Sequence, residues 1–216
     1  MKQPSRIVRI NNYIIITNYK CMCYALNSLK ITEHCPNEKQ SFKKIMLYRN
    51  TVNRIISCFL NWMIRNPKKK NLCFNDHYDN LTLNSGNWLL TLLKDTAEFD
   101  FNLYKERLHN LNEENTILIF EQFITVLPII YKKNGHLHPQ IKIVRKHKLT
   151  IDKYINIDKK KHVKYFEYLI NQKIPISNNS NNKDKQELLL FLNSNPNYKQ
   201  KIFNIYKADD ILNANI

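Results

Sequence analysis

The sequence predicts a mainly α-helical fold: a helical bundle with one projecting basic β-hairpin and a basic N-terminal extension. Two features predict it. Apolar residues recur at helical spacing in several separated stretches. The pair Asn134-Gly135, whose residues both tolerate positive φ, lies between two short apolar runs and is a strong short-range hairpin signal. The expected organisation is an extension over 1–45 and a helical domain over 46–207, followed by a tail over 208–216. That domain would carry an insertion at 74–105 and the hairpin at 129–145.

The clearest helix spans 51–65. Val52, Ile55, Ile56, Phe59, Leu60, Met63 and Ile64 share one face, with Asn53, Ser57, Asn61 and Arg65 opposite. Pro67 follows, and the residue before a proline disfavours the helical basin, so the helix should end near Asn66. Lys68, Lys69 and Lys70 come next, where cations suit the negative helix end and also form a phosphate-binding cluster. Trp88 to Leu93 is a short helical run, and 94–112 reads as a connection with a partial helix. A helix over 113–127 is capped by Asn112, led by Glu113 and Glu114, and striped by Ile117, Phe120, Ile124 and Leu127. Pro128 predicts its end. The hairpin arms would be Ile129 to Tyr131 and Gln140 to Val144. Further helices are expected over 159–172, using Val163, Phe166, Leu169 and Ile170, and near 185–193 and 197–207, with an Asn- and Ser-rich linker at 174–184.

Charge bounds the function. Thirty-four Lys and Arg face 18 Asp and Glu, a net +16 with a pI near 9.6. An AT-rich coding bias explains the abundant Lys and Asn but not the scarcity of acids. Such an excess raises self-repulsion, which a polyanion removes by neutralising the cations. RNA, DNA and an anionic membrane all qualify. No G-x-G-x-x-G or G-x-x-x-x-G-K motif is present to cradle a nucleotide phosphate. Glu113-Glu114 reads as helix-start acids and Asp209-Asp210 as part of a frayed terminus, so no carboxylate cluster for metal-dependent nuclease chemistry is legible.

Cys21, Cys23, Cys35, Cys58 and Cys73 are odd in number and unevenly spaced, a poor disulfide framework that suits a reducing or organellar compartment. Cys21, Cys23, His34 and Cys35 supply zinc-type ligands, but adjacent and x-separated donors strain a tetrahedron. His136-x-His138 lacks a third ligand. No metal or cofactor is expected. No apolar run reaches the ~18 residues of a membrane span. Lys2, Arg6 and Arg9 precede the first acid, Glu33, with Ile14 to Ile16 between them, an organelle-import-like pattern, and the composition points to the mitochondrion.

The candidate RNA-binding residues are Lys2, Arg6, Arg9, Arg65, Lys68, Lys69, Lys70, Lys132, Lys133, His136, His138, Gln140, Lys142, Arg145, Lys146 and Lys148. The cations among them position phosphates, while His136, His138 and Gln140 suit 2′-hydroxyls or unstacked bases. Base stacking and core packing are both open for Trp62 and Tyr131. The stretch from Glu121 to Asp152 carries no carboxylate between those two residues.

Residues 56–70 read I-S-C-F-L-N-W-M-I-R-N-P-K-K-K, and 120–128 read F-E-Q-F-I-T-V-L-P. These resemble two helices of the universal small-subunit ribosomal protein seven family, whose patterns run close to L/V-x-x-F-V/I-N-x-L/M-M/L-x-D/N-G-K-K and F-E-x-A-L/I-x-N-V-x-P. Phe59, Asn61, Met63, Asn66, Lys68 and Lys69 fall in register, with Pro67 at the family's glycine. The stretch P-Q-I-K-I at 139–143 resembles the family's hairpin return. The resemblance covers roughly 45–150 well and 151–207 only in outline. It implies a non-enzymatic constituent of a mitochondrial small ribosomal subunit that binds the rRNA of the subunit head. Its neighbours would be head and platform proteins, and its hairpin would point toward the exit-site tRNA and mRNA path. The alternatives are a large-subunit protein of the seventeenth family, which 128–143 also resembles, a divergent endonuclease or maturase, and a peripheral subunit of an organellar membrane complex.

Overall fold

The computed structural model describes residues 7–17, 26, 28–34, 41–65, 88–135, 137–175, 182–210 and 212. The described chain is mainly helical, with a five-stranded sheet, and divides into two compact units. The first comprises Met1–Arg54, Pro139–Asn179 and Tyr206–Ile216, and the second Ile55–His138 and Ser180–Ile205. A single domain over 46–207 with a separate extension is therefore not what forms.

The first unit is built on the sheet. Strands β1 (Ile7–Ile10) and β2 (Tyr13–Ile16) make an antiparallel hairpin in which Val8 faces Ile15. Asn11 takes the left-handed conformation at the turn, with φ 52°, which asparagine tolerates better than most residues. β3 (Glu33–His34) pairs antiparallel with β1. β4 (Lys43–Tyr48) runs parallel to β2, and β5 (Lys153–Asn156) runs parallel to β4. The strand order is β3-β1-β2-β4-β5. The stretch expected to be an extension thus supplies most of the sheet. Ile14, Ile15 and Ile16 are all buried because the sheet is covered on both faces, which turns the usual alternation into a continuous apolar run.

Each face has its own core. Val8, Ile10, Ile15, Ile45, Leu47 and Ile155 meet Leu26, Leu29, Phe166, Ile170 and Ile174 on one side. Ile7, Ile14, Ile16, Met46 and Tyr48 meet Ile141, Ile143, Val144 and Leu212 on the other. The first cover is helix α6 (Lys160–Ile170), which ends in a left-handed Asn171. The second cover is the short helix α5 (Lys142–Lys146) together with the C-terminal segment.

The second unit is helical. Helix α1 (Thr51–Phe59) begins in the first unit and is continued by a π-helical turn over Leu60–Arg65, which buries Leu60, Met63 and Ile64. The Tyr104 hydroxyl donates to the Met63 carbonyl at 2.8 Å, in the buried stretch where helical carbonyls run short of partners. Helix α2 (Trp88–Lys94) lies within the stretch expected to be inserted and α3 (Phe101–His109) runs past its end, with Asp100 capping α3 through the Leu103 N–H. Helix α4 (Glu113–Ile130) is capped by Asn112 as its sequence predicts. Phe120 of α4 packs on Phe59 at 4.8 Å between ring centroids and on Phe191 of α7 (Asn182–Ser194) at 6.3 Å. Helix α8 (Pro196–Ile205) follows α7.

The hairpin expected at 129–145 does not form. Helix α4 continues through Pro128 to Ile130, and the Tyr131 N–H still reaches the Leu127 carbonyl at 3.0 Å. A proline inside a helix costs about 3 kcal/mol. Fully burying an aliphatic side chain returns about 1.5–3 kcal/mol. Val126, Leu127 and Ile130 are all completely buried, so packing wins. Asn134 and Gly135 still turn the chain, with the Leu137 N–H on the Asn134 carbonyl, but the return arm is α5 rather than a strand.

The described residues near the C-terminus, 206–210 and 212, are packed rather than frayed. Tyr206 and Leu212 are buried, and a 3-10 turn over Lys207–Asp209 places the Asp209 carboxylate, 1% exposed, on the Gln140 and Ile141 amides at 3.0 and 2.9 Å. Asp209→Ala leaves both buried amides without that acceptor and is expected to cost about 3 kcal/mol, read from the urea unfolding midpoint. A loss below about 1 kcal/mol would mean that this carboxylate does not hold the segment.

Candidate nucleic-acid interface

Helix α5 is short, and its placement is set from inside. Ile141, Ile143 and Val144 enter the core, and the two amides at its start are held by Asp209. With that face fixed, Lys142, Arg145 and Lys146 fall at the i, i+3, i+4 positions of the outer face, all exposed. Lys148 follows, exposed, with φ 51°. Four of the predicted cations therefore gather on one anchored turn of helix and its exit.

The remaining predicted residues are dispersed. Arg9 on β1 pairs with Glu33 at 3.1 Å and lies over the Phe42 ring. Gln140 is fully buried and bridges the backbone of Arg49, accepting from its N–H at 2.9 Å and donating to its carbonyl at 2.9 Å. That glutamine holds the fold and has no face toward a ligand. In the second unit Lys132 and Lys133 are exposed, and His138 donates through Nε2 to the Lys132 carbonyl at 2.9 Å, which fixes its tautomer. Arg65 and Trp62 are half-buried on the π-helical turn, and Tyr131 is half-buried with Lys132 Nζ 5.6 Å from its ring centre. Lys2, Arg6, Lys68, Lys69, Lys70 and His136 lie outside the described residues, as do Cys21, Cys23 and Cys35. Among the described residues no three of His, Cys, Asp and Glu gather where a metal ion would sit, and no helix is long and apolar enough to cross a membrane.

The acids of the sheet unit take a different course from its cations. Asp152 accepts from the Lys44 N–H at 2.7 Å, and Glu167 from the Ile174 N–H at 2.9 Å. Asp158, just beyond the carboxyl end of β5, accepts from Arg49 Nε at 3.0 Å, the Asn50 N–H at 2.8 Å and Asn53 Nδ2 at 3.2 Å. Asn50 and Asn53 belong to the segment that starts α1 after β4, so this carboxylate ties the ends of the two parallel strands together. With Glu33 on Arg9 and Asp209 on two amides, five of this unit's described carboxylates accept contacts within the fold, while Asp210 is exposed. Sequence reasoning missed one consequence: Lys159, Lys160, Lys161 and Lys164, exposed at and beyond the start of α6, form a second cationic cluster. The missed signal was their spacing opposite Phe166 and Ile170.

His162 lies among these lysines. Its imidazole is held below the ordinary value of 6.5, first by burial and then by the charges of Lys159 and Lys161. No family model matches the chain, and no curated protein and no solved structure matches it either.

A base whose folded pKa is depressed favours the folded state fully above its unfolded pKa. That contribution is lost as pH falls through the window below 6.5. NMR titration of the free protein should place the His162 midpoint below 6.5, and Lys159→Gln should raise it. A midpoint at or above 6.5 would contradict the local cationic field.

Proposed function

We propose that this chain is a non-catalytic RNA-binding protein that holds phosphates on the exposed cations of its sheet unit. One observation carries the reading: Glu33, Asp152, Asp158, Glu167 and Asp209 of that unit accept contacts within the fold, whereas Lys142, Arg145, Lys146 and Lys148 stand together, exposed, on one outer surface. A surplus of cations at the surface costs self-repulsion, and RNA relieves it by counterion release. The particle we favour is a mitochondrial small ribosomal subunit, on the strength of the residues at 56–70 and 120–128 that resemble its seventh protein family. That part of the proposal no longer includes a hairpin reaching toward the exit-site tRNA, since 129–145 folds otherwise. Small-subunit rRNA and the proteins around it are then the partners.

Two measurements test this. Protein purified from its source should cosediment with small-subunit rRNA at moderate salt and be released by high salt or RNase; sedimentation at the top of the gradient would sink the ribosomal reading. Independently, the purified chain should bind a labelled RNA with strong salt dependence. Lys142→Gln, Arg145→Gln and Lys146→Gln together should flatten the slope of log K against log salt by about 2, at roughly 0.7 per lost contact to single-stranded phosphates. Lys183→Gln, at an exposed lysine of the other unit, should leave the slope unchanged. An unchanged slope in the triple variant would remove α5 from the interface.

A further inference from the structure

We propose that the outer face of α6 is a second RNA-binding surface that takes single-stranded RNA by stacking unpaired bases on Tyr165 and Tyr168. The inference rests on the RNA-binding reading above and adds the kind of RNA and where it is held. Lys161, Lys164, Tyr165 and Tyr168 occupy the i, i+3, i+4 and i+7 positions of the helix and therefore share one face. All four are exposed, Tyr165 at 41% and Tyr168 at 80%. The opposite side of the helix buries Phe166 and Ile170 in the sheet core, and neither tyrosine belongs to that core. The sole acid of the helix, Glu167, is turned away and accepts from the Ile174 N–H. From the neighbouring strand Lys153 lays its ammonium 4.4 Å from the centre of the Tyr165 ring and hydrogen-bonds the Tyr165 hydroxyl, adding a cation at the same place.

A large, nearly bare aromatic ring on a solvated helix loses water-excluding contacts that it could make elsewhere, and lysines on either side select an anionic occupant. Single-stranded nucleic acid supplies both requirements at once: a π-face on every base and a phosphate for every nucleotide. A duplex hides its base faces in the stack and offers only phosphates. The face therefore discriminates by the strandedness of its ligand. It also lies across the sheet from α5, which packs on the other core, so the two surfaces are separable by mutation.

The test uses the full chain, a labelled oligouridylate and an RNA duplex of matched length. Tyr168→Ala should weaken oligouridylate binding about tenfold, the loss of one stacked base, and leave duplex binding unchanged. Tyr168→Phe and Tyr168→Trp should retain single-strand affinity, since both keep a π-face. Photocrosslinked uridine should be recovered on the peptide that carries Tyr165 and Tyr168. Unchanged single-strand affinity in Tyr168→Ala, or an equal loss for strand and duplex, would overturn the α6 inference and leave RNA binding through α5 standing. Wild-type protein that binds neither RNA would overturn both.

Discussion

The sheet unit depends on parallel pairing between segments far apart in the chain. Met46 aligns with Tyr154, and Ile14 with Lys44, so β4 is flanked on both sides by parallel neighbours. Parallel strands are stable only when both faces are covered, because their side chains are apolar on each. One face takes α6, and the other takes α5 with Leu212. Neither cover is long or independently stable, and each is fixed by polar contacts at its ends. Asp209 grips the amides leading into α5, and Asp158, in the turn leading into α6, is held by the Asn50 N–H before α1. The positions of the exposed lysines follow from these anchors, since the outer faces of both helices are determined once their inner faces are buried.

The same arrangement accounts for how so few acids serve so basic a chain. A carboxylate that accepts backbone amides or an arginine does more for the fold than one on the surface, where an exposed ion pair contributes little. In the sheet unit Glu33, Asp152, Asp158, Glu167 and Asp209 all have such contacts. The positive potential outside is thus partly a by-product of how the inside is tied together. The depressed pKa of His162 follows from burial joined to that same potential.

Most helices were legible in the sequence because each carries a cap or an apolar stripe: Asn112 before α4, Phe166 and Ile170 in α6, and the stripe through Phe59 in α1. The sheet was not legible. Its strands read as unpatterned apolar runs, and the hairpin signal at Asn134-Gly135 outweighed the subtler Asn11-Asn12 turn that does join two strands. Alternation over Gln140 to Val144 reads as a strand, but burial of Ile141, Ile143 and Val144 and the grip of Asp209 hold the segment as a short helix. Of the site, the α5 cations could be named from the charge run. Gln140 was misplaced because sequence does not reveal that a polar side chain is buried, and the α6 face was overlooked because only its apolar side was read.

The discontinuity of the sheet unit bears on how the protein is made. Its pieces come from the beginning, the middle and the last stretch of the chain. During synthesis the β1–β2 hairpin can form early, but β4 must wait for Lys153 to Asn156 before its outer edge is paired, and α5 must wait for Asp209. Nascent chains grow at about 5–20 residues per second, so Ile14 to Ile16 and Met46 spend seconds as uncovered apolar surface while residues 55–138 of the helical unit emerge ahead of β5. Long-range parallel pairing is also slow to close. Folding of this unit therefore waits until Asp209 has emerged, and until then the nascent chain presents an apolar strand edge that needs shielding.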